Sequence, residues 1–194
     1  MGKNTVRFTC QRCMKCCTDV ICLPTPADVI RIAQGTRQSP RDFLEFLPPD
    51  EIEQVAASDP TWLKCNGGRY IMALKRDPRK GCYFLNRRNK SCTIYEHRPI
   101  LCRLFPFKLQ ETREGEFRGF TLHKDTCCPA HQGEAVPTGP LYGLYRQDCM
   151  HQEDYNELVR VFNKKRYKGK RPEDFLDMFI DEVAERRAAG NNSA

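Results

Sequence analysis

Four of the chain's 12 cysteines, Cys10, Cys13, Cys16 and Cys17, crowd into the stretch FTCQRCMKCC. Thiolates are soft, charged ligands suited to zinc and to iron–sulfur clusters. A C-x2-C pair lets two sulfurs face one metal while the backbone N–H groups of the turn point towards them. The third cysteine extends the spacing to C-x2-C-x2-C, which resembles the ferredoxin run whose thiolates hold corners of an iron–sulfur cube. The doubled Cys16-Cys17 raises a geometric question. On an extended backbone neighbouring side chains point to opposite sides, so these two are expected to face different sites. The loop is incomplete alone and needs ligands from further along the chain.

Those candidates are Cys82, Cys92 and Cys102, each ten positions after the previous one, and the doubled Cys127-Cys128. Four cysteines from the loop, these three and Cys128 make eight, the number that two four-thiolate sites require. The opening spacing favours an iron–sulfur cluster of the [4Fe-4S] type. Cysteines on the two sides of a hairpin, as Cys82 and Cys92 are expected to be, resemble a zinc ribbon and favour Zn2+ as the alternative. Cys22, Cys65 and Cys149 read as small buried hydrophobes. Arg98 and Arg103 bracket Cys102 and either lower thiolate pKa values or pin Glu96 or a turn carbonyl. Tyr95 and Phe105 are expected to shield the site as core residues. Of the four histidines, His97 is the one to watch, because it adjoins the motif.

Local signals supply the elements that must position these side chains. Thr25-Pro26-Ala27-Asp28 reads as a helix start, with Thr25 as cap, Pro26 in the first turn and Asp28 at the positive end of the dipole. Val29, Ile30 and Ala33 form its apolar face and Gly35 ends it. Ser39-Pro40-Arg41-Asp42 opens a second expected helix through Phe43, Leu44 and Leu47 to Pro48-Pro49, with a weaker one after Asp50. Residues 69–75 suit a strand. CYFL (82–85) and SCTIY (91–95) suit the two arms of a hairpin, and a short helix follows Pro99 and stops before Pro106. FKLQ and FRGFTL flank Glu114-Gly115 as another hairpin. From about residue 140 the pattern turns helical, with Tyr155, Leu158, Val159 and Phe162 on one stripe. A final helix from Pro172 places Phe175, Phe179 and Val183 on one face. The fold class is α+β, a small cysteine-rich domain of short hairpins and helices with C-terminal helices. The expected division is a cysteine-cluster domain over 1–135, a helical extension packed on it over 136–190, and a frayed tail over 191–194.

In these residues the chain resembles the CxxCxxCC or YkgJ-like family of zinc- or iron-chelating cysteine-cluster proteins. FTCQRCMKCC (8–17), TPADVIRIA and SPRDFLEFL match, and CYFLNRRNKSCTIYEHRPILCRLFPF (82–107) is the most specific match. Cys128-Pro129-Ala130 resembles the family's closing Cys-Pro-Gly element, with alanine in place of glycine. The resemblance covers about residues 8–130 and leaves the C-terminal third outside it. It implies metal or iron–sulfur binding without implying a particular reaction. Flagellin lysine methylases share the cysteine domain with this family, which makes a protein-modifying enzyme one alternative.

Bulk properties trim the remaining classes. The start MGKNTVRFTCQRC has no apolar export signal, and no run of 18 apolar residues occurs, so a cytoplasmic protein with no membrane partner is expected. A reducing compartment turns cysteine clusters into metal or catalytic sites rather than disulfides. The net charge of +7 is moderate. It serves partly to balance buried thiolates, so nucleic acid is not an expected partner. The run Lys164-Lys165-Arg166-Tyr167-Lys168-Gly169-Lys170-Arg171 reads as a solvated linker. There is no P-loop, no GxGxxG opening a helix and no Ser-His-Asp arrangement. The functional readings are a metal-binding protein with a redox or sensing role, a structural zinc module whose C-terminal helices meet a protein partner, and the methylase-like enzyme.

Overall fold

A computed structural model describes residues 4–53, 55–123, 133–165 and 169–180. In chain order the elements are β1 (Thr5–Arg7), α1 (Lys15–Thr18), α2 (Pro26–Thr36), α3 (Pro40–Phe43), β2 (Leu44–Leu47), a 3-10 turn (Pro49–Glu51), β3 (Leu63–Cys65) and β4 (Gly68–Leu74). There follow β5 (Arg76–Asp77), β6 (Gly81–Cys82), β7 (Leu85–Asn86), β8 (Ser91–Cys92), a 3-10 turn (Tyr95–His97) and α4 (Ile100–Leu104). β9 (Phe107–Glu111), β10 (Phe117–Leu122), β11 (Ala135–Pro137), α5 (Thr138–Lys164) and a 3-10 segment (Pro172–Met178) complete the described chain. This is a mixed α+β architecture, cysteine-rich, with a long helix near its C-terminal end.

One sheet and two helices build the core. β4 is central, pairing antiparallel with β2 (Leu44↔Leu74) and with β3 (Leu63↔Tyr70). Its Ile71, Met72, Ala73 and Leu74 are all buried, as a central strand covered on both faces requires. Against it pack Val29, Ile32 and Ala33 of α2, Tyr155, Val159 and Phe162 of α5, and Phe175, Leu176 and Phe179. Phe175 stands at the middle of an aromatic group, its ring centroid 5.8 Å from Tyr155, 5.5 Å from Phe162 and 5.6 Å from Phe179. A second apolar cluster, Leu47, Ile52, Trp62, Ile71 and Ala73, lies beside the first.

The start of α2 is a complete capping box, with Thr25 and Asp28 satisfying each other's backbone N–H groups. Asp28 does more than cap. Fully buried, it accepts from Thr25 N and Thr25 Oγ1 (both 3.1 Å), from Arg31 (2.5 Å) and from Ile100 N (3.1 Å). A buried carboxylate is tolerable when fully hydrogen-bonded in this way, and here it ties α2 to the first residue of α4.

Several expectations are corrected. The helix from Ser39 is a single turn, and Leu44–Leu47 leaves it as a strand because its backbone groups pair with residues 71–74. Residues 49–51 form only a 3-10 turn, and Pro172–Met178 is 3-10 rather than α-helical, although Phe175 and Phe179 are buried as expected. Val183 lies outside the described residues, as does the 191–194 tail. Lys170 is not a solvated linker residue. It is buried, donates to the carbonyls of Phe162 (2.6 Å) and Lys165 (3.0 Å), and sits over the Phe162 ring. It thereby adds a charged donor at the end of α5, where the Phe162 carbonyl also accepts from Lys165 N (3.1 Å). Gly35 lies inside α2 rather than ending it, and a Cβ there would come within 2.4 Å of the His97 imidazole. His97 packs on a helix.

Candidate metal centre

The short elements around residues 8–19 and 76–104 bring Cys16, Cys17, Cys82, Cys92 and Cys102 near one another at the border of the main core. Met14 adopts a left-handed conformation (φ 67°), and the chain then turns through the four-residue helix α1. That turn corrects the premise about Cys16 and Cys17. The backbone is helical there, not extended, so the two side chains are not thrown to opposite sides and their sulfurs lie 3.7 Å apart. Gly81 brings β6 against this turn. Its φ is +87°, and a Cβ would come within 2.7 Å of the Cys17 carbonyl oxygen, so glycine is required on both counts. Arg76 across from Cys82 donates to the carbonyl of Thr18, pinning the same contact.

Cys82 and Cys92 do not face each other across one hairpin. Cys82 pairs with Arg76 in the β5–β6 hairpin, and Cys92 pairs with Leu85 in the β7–β8 hairpin that follows. Phe84 and Ile94, two residues beyond each cysteine, are buried plugs that anchor the hairpins in the main core. Cys102 is carried by α4, and its sulfur lies 3.4 Å from that of Cys22, the residue that the spacing pattern left out. No local signal marks Cys22, because its partner is 80 positions away.

Electrostatics report the same gathering. Cys16 is lowered to about 7, chiefly by its hydrogen bond with Cys17 and helped by the Arg98 guanidinium. Cys17 is pushed up by that same bond, then by burial and by the neighbouring charges of Cys16, Cys82 and Cys92. Burial pushes Cys82 up to about 11, with Cys102 and Cys92 adding to the rise and Arg76 opposing it. Cys92 is raised by burial and by Cys102 and Cys16, against Arg98. Several thiols that each resist ionisation beside the others are what a divalent cation relieves. Arg98 meets both expectations: its Nε donates to the Tyr95 carbonyl (3.0 Å), and its charge favours the thiolates. It does not pin Glu96. Arg76 was missed because it lies before the motif in sequence. Tyr95 is no core shield, being 57% exposed with the Arg98 guanidinium over its ring.

Cys10 and Cys13 are exposed on the stretch leading into α1. Cys127 and Cys128 lie outside the described residues. The ten described cysteines form no disulfide, and among the described residues no three side chains close around a common ion position. Four of the sulfurs instead meet in two pairs, Cys16 with Cys17 and Cys22 with Cys102. The donor set fits a thiophilic metal on two observations. Its members are all thiols, and the paired sulfur spacings lie near the ~3.8 Å edge that Zn–S bonds of about 2.3 Å give a tetrahedron.

A family model described as "CxxCxxCC: Putative zinc- or iron-chelating domain" matches residues 9–128. The chain belongs to this family. Metal binding, of zinc or iron, is the family's general property and accords with the thiol-rich end just described. The chain is also 31% identical over 107 residues to "Uncharacterized protein MJ0661" of Methanocaldococcus jannaschii, a stretch covering 55% of this chain and 48% of that relative. The chain thus spans about half the length of the relative it matches. No solved structure matches it. Among the described residues no helix is long and apolar enough to cross a membrane.

Proposed function

We propose that the CxxCxxCC chain is a thiolate metal protein in which pairs of sulfurs share single ions, with Zn2+ as the metal the geometry favours. The observation that carries this reading is the Cys16–Cys17 sulfur distance of 3.7 Å. Two thiolates on one tetrahedral zinc stand ~3.8 Å apart, whereas each iron of a cube takes one thiolate and holds it away from its neighbours' ligands. Cys10, Cys13, Cys16, Cys17, Cys82, Cys92, Cys102 and Cys128 are the proposed ligand set. Such a metal, once bound, neutralises the gathered thiolates and cross-links loops that bury little apolar surface. The residues around it act independently of the metal's identity: Arg76 and Arg98 favour the ionised thiols, and Gly81 admits the second segment. The division at about residue 135 then leaves the outer face of α5, where Met150 and Val161 are exposed, to meet a protein partner.

A second reading, an iron–sulfur cluster with a redox or sensing role, is favoured by the C-x2-C-x2-C spacing from Cys10 to Cys16. Metal analysis and a visible spectrum of the anaerobically purified chain separate the two. A colourless protein with bound zinc supports the first. A brown protein with iron and acid-labile sulfide supports the second. Folded, metal-free protein whose cysteines are joined in disulfides overturns both.

A further inference from the structure

We infer that Cys22 is a metal ligand of this chain, sharing an ion with Cys102 although it lies outside the motif. The inference rests on the thiolate-metal reading above and adds a residue to it. The 3.4 Å contact between the two sulfurs is not an accident of flexible side chains meeting. Cys22 is held through its backbone, whose carbonyl accepts from Leu74 N (2.9 Å) at the end of the central strand. Cys102 sits on α4, whose first residue, Ile100, donates its N–H to Asp28. Asp28 in turn holds Thr25, three residues after Cys22. One buried carboxylate therefore fixes both segments that carry the pair. Preset sulfurs at close to a tetrahedral edge are what a ligand pair needs and what a core thiol does not.

The remaining off-motif cysteines supply the contrast. Cys65 packs beside the core near Lys170, and Cys149 bonds to Tyr145 one helical turn away. Neither is in contact with a second sulfur in the hydrogen bonds described. Chemistry thus separates Cys22 from the two residues with which its position outside the motif would group it.

The test uses the full chain loaded anaerobically with Co(II), whose thiolate charge-transfer band reports the number of sulfur ligands. Cys22→Ser keeps a hydrogen-bonding group of similar size but loses the soft ligand. It is expected to lose part of that band and to raise the Co(II) Kd by more than the roughly 10–100-fold that loss of an outer-shell partner costs. Cys65→Ala is expected to change neither. A folded Cys22→Ser variant with an unchanged band and Kd overturns the inference. Wild-type protein that shows no thiolate band at all overturns the metal reading as well, which distinguishes the two failures. Alkylation mapping of the wild type needs no variant. Cys22 and Cys102 are expected to resist iodoacetamide in the loaded protein and to react after EDTA treatment. Equal labelling of Cys22 before and after treatment means that burial alone protects it, and overturns the inference.

Discussion

The two ends of this molecule are held together by different forces. At one end, the seven-residue strand β4 has partners on both sides and is covered by α2, α5 and the 3-10 segment. At the other, β5–β6 and β7–β8 are ladders of two residues per strand, and α1 is a four-residue helix with no buried residue. Isolated two-stranded hairpins and single helical turns are unstable in water. The apolar end can stand on burial alone. The cysteine end has few buried apolar side chains, Phe84 and Ile94 among them, and a set of thiols whose ionised forms repel one another, so it needs another source of stability. On the proposed reading, a bound metal supplies it.

The largest expected effect comes from breaking the apolar end. Phe162→Ala should cost about 3–5 kcal/mol of unfolding free energy. Phe162 is 1% exposed, packs against Phe175, and carries the Lys170 ammonium over its ring. Denaturant unfolding measures this loss. Metal stoichiometry well below the lowered melting point should be unchanged, because no ligand has moved.

A smaller and opposite effect is expected from Gly81→Ala. The positive φ alone costs on the order of 1–2 kcal/mol for a residue with a Cβ. The new methyl also meets the backbone of Cys17 and Thr18, pushing β6 off α1. Here metal affinity should fall more than the melting temperature of the metal-free chain. The reverse order would show that the two ends are not separable.

The difference between the ends also explains what could be read from sequence. The α2 cap was legible because Thr25 and Asp28 act within four residues, and α5 because Tyr155, Val159 and Phe162 repeat at helical spacing. The motif cysteines announced themselves by crowding. Leu44–Leu47 was misread as helix because its strand character comes from residues 71–74, which no local pattern contains. Cys16 and Cys17 were misjudged because the turn that begins at Met14 has no glycine to signal its left-handed residue. Arg76 was missed and Lys170 misread for one shared reason: each acquires its role from a contact made in the folded chain, with Thr18 and the end of α5 respectively.

The smallest effect concerns pH. Asp148 on α5 is pushed up to about 6 from 3.8, first by burial and then by the charge of Asp28, with His151 opposing. A carboxyl raised on folding favours the folded state when it is neutral. Its contribution is therefore complete below about pH 3.8 and is lost as pH rises through about 6. Asp148→Asn should remove this dependence, so its stability relative to the wild type rises between those values and then levels off. Because the side chain is partly exposed, the change is a fraction of a kcal/mol, visible in paired thermal melts across the range. This prediction concerns a polar group on α5 outside the proposed ligand set, whose charge is felt by Asp28.

Hydrogen exchange of the loaded and EDTA-stripped protein, read by mass spectrometry, tests the division most directly. Stripping is expected to remove protection from residues 8–19 and 76–93 while residues 68–74 and the Tyr155–Phe162 part of α5 stay protected. Uniform protection before and after stripping, or equal loss at both ends, would contradict it.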